Sequence, residues 1–208
     1  MSNTGFTTKD FNVFTIPGLE PRMEALQEQI QPKFRNIGER LVSEISSLTG
    51  EEMFLHIAKH LRRTTNPPDD SWLAIAPDKR GYKKHPHFQL GLFDDHLFIW
   101  LAFIYELPNK KEIGEAFLND LNTIKTLPND FAISTDHTKK SAEQIGDHTE
   151  SDLEKKVIRF RDVKKGEFLI GQQLAPSDSR VQDEGELIKT AIDTYETLLP
   201  LYRMSLTR

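Results

Sequence analysis

Apolar residues in the first fifty positions recur at helical spacing. Leu19, Met23, Leu26 and Ile30 form a stripe that Ile37, Leu41 and Ile45 continue. Pro32 removes a backbone donor within that stripe and predicts a break or kink between two helices. Thr49-Gly50 marks the end. From Phe54 the period shortens. Phe54 to Leu61 alternates as a strand, with Phe54, His56, Ala58 and His60 on one side and Leu55, Ile57, Lys59 and Leu61 on the other, although a helix fits the same residues. Thr64 to Asp70 is a loop containing two prolines. Trp72 to Ala76 reads as a strand and Pro77 to Pro86 as a basic loop containing Gly81. His87 to Phe93 is a further strand, joined through Asp94-Asp95 to the apolar run Leu97 to Tyr105 as a hairpin.

Asn109 is placed to cap a helix carrying Ile113, Phe117, Leu121 and Ile124, stopped by Pro128. Phe131 to Thr135 is a short strand. Ser141 to Glu154 holds five acids and no Lys or Arg, and reads as a solvated loop running into a helix. Thr149 and Asp152 form a capping box for that helix, which carries Leu153, Val157 and Phe160 and ends at Lys164-Lys165-Gly166. Phe168 to Leu174 is a strand, and a last helix presents Ile188, Ala191, Ile192, Tyr195, Leu198 and Leu199. Strands gather in the middle and do not alternate regularly with helices. This predicts one α+β domain over residues 1–208, with a largely antiparallel sheet and helices mainly on one face.

Composition narrows the classes. The 208 residues include no cysteine, which excludes disulfides, thiolate metal sites and cysteine nucleophiles and fits a reducing compartment. The polar start Met1 to Gly5 leads into no apolar leader. The longest apolar run, nine residues from Leu97, is about half of the ~20 a membrane helix needs. The expectation is a cytoplasmic protein that does not span a membrane. Net charge is -5, which argues against general nucleic-acid binding. Yet residues 56–87 carry +4, with seven basic residues against three acids.

Most chemical motifs fail on inspection. Gly166 to Gly171 has the glycine spacing of a phosphate loop, but Gln172-Gln173 stands where Lys-Ser/Thr is required. His56-Ile57-Ala58-Lys59-His60 has zinc-protease histidine spacing without the general-base Glu. A two-histidine metal face stays open there; the plainer reading has both rings bonding nearby backbone, and no metal ligand set is assigned. Neither a Gly-x-Ser-x-Gly elbow nor a Gly-x-Gly-x-x-Gly dinucleotide loop is present.

One constellation survives. It runs from His60, Arg62, Arg63 and Asn66 through Trp72, Arg80, Tyr82 and Lys83 to His87 and Gln89. Arginine presents a rigid fork of donors for carboxylate or phosphate oxygens, prolines stiffen the presenting loop, and Gly81 permits close backbone approach. On a strand starting at His87, the side chains of His87, Gln89 and Gly91 share one face and Phe88, Leu90 and Leu92 the core. Polar groups in mid-sheet call for partners. If the two histidine faces coincide they form a polar floor for an anionic small molecule, on which Trp72 or Tyr82 stacks a ring. Asp136-His137 is a candidate acid–imidazole pair, although a turn explains it equally.

The blocks Ala58-Lys59-His60, Arg62-Arg63, Asn66-Pro67-Pro68, Trp72, Arg80-Gly81-Tyr82-Lys83, Pro86-His87-Phe88-Gln89, Asp136-His137 and Lys164 to Phe168 together resemble the YktB-like family of bacterial proteins. The resemblance spans nearly the whole chain. It implies a compact α+β domain and supplies no catalytic residues. The arrangement is also similar in outline to the catalytic domain of biotin and lipoate ligases, though without their glycine-rich adenylate signature.

Two functions follow as expectations, and the sequence names neither a reaction nor a cofactor. In the first, Arg62, Arg63, Arg80 and Lys83 hold an anionic nucleotide, phosphate or carboxylate, flanked by Asn66, Trp72, Tyr82 and Gln89, with His60 and His87 as candidate proton-transfer groups. In the second, the basic face of a non-enzymatic regulatory protein docks an acidic partner.

Overall fold

The computed structural model describes residues 4–206. The leaderless reading of the N-terminus falls partly on residues 1–3, outside that range. The chain opens with α1 (Thr8–Asn12), whose N-cap Thr7 donates its backbone N–H and its hydroxyl to the Asp10 carboxylate. Helices α2 (Leu19–Ala25) and α3 (Gln31–Thr49) follow. The break expected at Pro32 takes the form of a π-helical turn, Leu26–Ile30, directly joining the two. A wider turn accommodates the missing donor and the ring at the start of α3 without ending the helical path. Gly50 closes α3 at φ 75°, in the left-handed region that glycine enters freely.

The described residues contain one seven-stranded sheet in the order β1 (Phe54–Ile57), β2 (Ser71–Ala76), β3 (His87–Leu92), β4 (Leu97–Phe103), β7 (Phe168–Leu174), β5 (Ala132–Ser134) and β6 (Glu143–Gln144), with every neighbouring pair antiparallel. The α+β architecture is as the sequence predicts. Strand β1 is shorter than the alternation from Phe54 to Leu61 suggests. It ends at Ile57, and the chain turns through His60 (φ 51°), whose carbonyl accepts from the Arg63 N–H. Strand β6 lies inside the acidic stretch read as a loop, where exposed side chains hide the pairing.

One sheet face carries Leu73, Ile75, Phe88, Leu90, Ile99, Leu101, Phe103, Phe168 and Ile170, all buried in the main core. Against it lie α3, α4 (Lys110–Asn119), α6 (Glu150–Asp162) and α8 (Glu184–Ser205). The helix expected to run from Asn109 past Ile124 stops at Asn119. A separate turn, α5 (Asn122–Lys125), buries Ile124, and the Asn109 side chain makes no cap bond. The Thr149–Asp152 box does cap α6, as its sequence predicts. Helix α7 (Ser179–Gln182) is too short for its period to register, and α8 runs through Pro200. No helix is long and apolar enough to cross a membrane among the described residues.

Among the described residues the opposite sheet face carries no large helix. A smaller cluster of Phe93, Phe98, Trp100, Ala102, Ile104, Ala132 and Leu169 covers part of it, with Trp72 packed at its side. The polar residues of interest occupy the remainder.

Candidate functional site

The alternation in β3 sorts its side chains as the sequence predicts. Phe88, Leu90 and Leu92 enter the main core, while His87, Gln89 and Gly91 face the helix-free side. Polar side chains buried there need partners. His87 is fully buried; its Nδ1 bonds the His85 carbonyl at 2.8 Å, and its Nε2 accepts from the Gln89 amide at 2.8 Å. That pattern selects the tautomer protonated at Nδ1. Burial pushes the ring's pKa down to about 4, and the neighbouring histidines add to the effect. With both nitrogens engaged, His87 is a neutral packing residue rather than a free proton carrier.

Trp72 and Tyr82 divide the surroundings of this floor in two. The indole Nε1 donates to the Tyr82 hydroxyl at 3.2 Å, and the Tyr82 ring packs 4.9 Å from His87 and 5.6 Å from His56. On the Tyr82 side lies an open groove of about 840 Å³. Strand β1 contributes Leu55, His56 and Ile57, α3 contributes Arg35, and the loop 78–84 contributes Arg80, Tyr82, Lys83 and Lys84. The His56 Nε2 bonds the Asp78 carbonyl at 2.9 Å, which is the plain backbone role. Lys83 pairs with Glu106, and Asp78 is occupied by His85 and the Arg80 N–H. The side chains of Arg35, Lys59, Arg80 and Lys84 line the same groove without an ion-pair or hydrogen-bond partner among the described residues.

On the Trp72 side lies a second, small hollow, lined by Asp70, Trp72, Gln89, Trp100, Ser134, His137 and others. His137 does not pair with Asp136. Its Nδ1 bonds both carboxylate oxygens of Glu167 at 2.8 and 2.9 Å, and its backbone N–H donates to the same group at 2.8 Å. Asp136 instead caps its own turn through the Thr138 N–H and hydroxyl. Glu167 is only 3% exposed. Burial disfavours the charged His137 ring, but the Glu167 bond and the Asp70 and Asp136 carboxylates outweigh it and raise its pKa above the ordinary imidazole value. Desolvation pushes the Asp70 carboxyl up to about 6, against the pull of His137 and Arg63.

The sequence constellation is therefore split. Arg80, Tyr82 and Lys83 line the groove, while Trp72 and Gln89 line the hollow. His60 sits edge-on to Trp72 at 5.6 Å with its Nε2 3.2 Å from the Ser71 hydroxyl, and lines neither. Burial and the Arg63 charge hold its pKa down to about 4. Arg62, Arg63 and Asn66 are exposed on the intervening loop and line neither space. His60, Arg63 and His87 thus do not meet in one concavity. Sequence reasoning missed Arg35, which reaches the groove from a distant helix, and Glu167, whose neighbours Gly166 and Phe168 read only as a helix end and a strand start. It passed over Asp70 as a loop residue.

Comparison with known proteins is consistent along nearly the whole chain. The family profile described as a domain of unknown function, DUF1054, matches residues 6–202. A UPF0637 protein of Oceanobacillus iheyensis is 55% identical over 202 residues, 97% of either chain. One from Shouchella clausii is 56% identical over 98% of this chain and 95% of its own. Another from Listeria monocytogenes is 52% identical over 99% of this chain and all of its own.

Proposed function

The chain belongs to the DUF1054 family, whose description names no activity, and from its chemistry we propose that the groove between β1 and the loop 78–84 binds an anionic small molecule. One observation carries the reading. Four cationic side chains, Arg35, Lys59, Arg80 and Lys84, line one concave space with no intramolecular partner among the described residues. Two acids, Asp78 and Glu106, share that lining, and both have partners already. A volume of about 840 Å³ falls within the roughly 300–1,000 Å³ of small-molecule sites. The guanidinium forks of Arg35 and Arg80 suit phosphate or carboxylate oxygens, and the Tyr82 ring offers a face for a base or other flat group.

Isothermal titration with pyrophosphate, a nucleoside triphosphate and a tricarboxylate tests the reading. At least one of these binds the intact chain, and Arg80→Ala weakens that binding by about 10-fold or more, the scale of one lost charge-assisted contact. No binding by any probe, or equal binding by the Arg80→Ala chain, overturns it. Binding of polyglutamate alone, weakening steeply with salt, favours an acidic macromolecular partner instead.

A further inference from the structure

The hollow on the helix-free side of the sheet is chemically distinct from the basic groove. It offers acceptor atoms with spare hydrogen-bonding capacity among the described residues. Asp70 is 8% exposed, and its carboxylate has its own backbone N–H as its sole hydrogen-bond partner among the described residues. Arg63 acts on it only from a distance, from an exposed loop. The His137 ring is fixed through Nδ1 by Glu167, so its Nε2 is free and has no hydrogen-bond partner among the described residues. The Gln89 amide nitrogen is committed to His87, and its side-chain carbonyl oxygen has no partner among the described residues. Asp70, His137 and Gln89 line the same space, and its volume is about 10 Å³. That is room for one water-sized guest.

A buried carboxylate holding the far nitrogen of a histidine is the arrangement that orients metal-ligating imidazoles, because it fixes the tautomer and makes the free nitrogen a better donor. Asp136, His137 and Glu167 also bring three potential ligand atoms within 4.8 Å of one another. In that trio, however, Asp136 is occupied by Thr138, and Glu167 accepts two N–H groups of residue 137 and lies near the Tyr105 N–H. Asp136 and Glu167 lie outside the hollow, whereas His137 and Asp70 both line it.

We propose that this hollow holds one divalent transition-metal ion, bound by Nε2 of His137 and the carboxylate of Asp70, with Glu167 as the positioning residue behind the imidazole. An imidazole–carboxylate pair selects manganese, iron, cobalt or zinc over magnesium or calcium, which prefer oxygen alone. The Gln89 oxygen is the third donor on the lining, and solvent reaching the ion from outside the hollow completes the coordination. The proposal does not depend on the anion groove, which lies beyond the Trp72–Tyr82 pair.

The test uses the full, tag-free chain after chelator treatment, titrated calorimetrically with Mn²⁺ and Zn²⁺, with the visible spectrum of the Co²⁺ form as a second readout. One ion binds per chain. Asp70→Asn and His137→Gln each weaken binding by about 10-fold or more, and Glu167→Gln does so by roughly 10- to 100-fold, as for other residues behind a metal ligand. Asp136→Asn and Arg80→Ala bind as the unaltered chain does. Near-UV circular dichroism identifies any variant that loses its fold, and the nearly isosteric Asp70→Asn then decides. Absence of binding up to about 1 mM metal, an affinity too weak for a built site, overturns the proposal. So does unchanged affinity in Asp70→Asn, or loss of binding in Asp136→Asn alone.

Discussion

Replacing Tyr195 tests how helix α8 holds the floor of the candidate site. Tyr195 is fully buried, donates its hydroxyl to the Gln89 carbonyl at 2.7 Å, and meets the Phe88 ring edge-on at 5.0 Å. Tyr195→Phe deletes the hydroxyl and keeps the ring. The lost bond and the stranded acceptor in β3 cost about 1–2 kcal/mol. Tyr195→Ala removes the ring as well and leaves a cavity between α8 and β3, at a cost of about 3–5 kcal/mol. For a chain of this length each kcal/mol lowers Tm by roughly 2–4 °C. Urea denaturation followed by far-UV circular dichroism, extrapolated to water, measures both variants. The expected order is wild type, then Phe, then Ala, with the second step the larger. A Tyr195→Phe chain as stable as wild type shows that the hydroxyl contributes nothing. Equal losses in the two variants show that the ring does not pack as described.

Other expectations follow from the same geometry. The His87 ring titrates near 6.5 when unfolded and, through burial, at about 4 when folded, so between these values the unfolded chain holds the extra proton. Its contribution is therefore complete above pH 6.5, declines as pH falls, and is exhausted near pH 4, a total of about 3 kcal/mol. His87→Asn lacks this titration. Its stability deficit against wild type should narrow by about 2 kcal/mol from pH 7 to pH 5 in paired urea melts, and a deficit constant with pH contradicts the buried, neutral ring. A Cβ at Gly91 would stand 2.3 Å from the Phe98 ring and 2.6 Å from the Ser71 carbonyl. Gly91→Ala should cost about 1–3 kcal/mol and alter the fluorescence of the adjacent Trp72; wild-type stability and spectrum would refute the close packing. Thr149→Ala, which removes a capping box, should cost about 1 kcal/mol in thermal melts, and an unchanged Tm would show that the cap is idle. Arg80→Ala leaves stability within about 0.5 kcal/mol, since the side chain is exposed, and a larger loss in urea melts would contradict its place on the groove rim.

The amino-acid order alone determined the local structure wherever a period is strong and both neighbours agree with it. The alternation His87, Gln89, Gly91 against Phe88, Leu90, Leu92 places two polar residues on one sheet face, and the folded chain keeps that assignment. The Thr149–Asp152 spacing likewise announces its own cap. Such features depend on residues within a turn or two of each other, so their physics is present in the local sequence. Composition also marked residues 56–87 as cationic, and Arg80, Tyr82 and Lys83 of the constellation found there line the groove. Which cations remain unpaired is a question of distant neighbours. Lys83 meets Glu106 across the fold, while Arg35 arrives from α3. The split between groove and hollow is tertiary too, because it depends on the Trp72 indole reaching the Tyr82 hydroxyl. His137 finds its partner thirty residues away in Glu167 rather than in adjacent Asp136, since β5 and β7 pair side by side. A carboxylate's partner is fixed by distance in space, and spacing along the chain carries that information only within a single helix or hairpin.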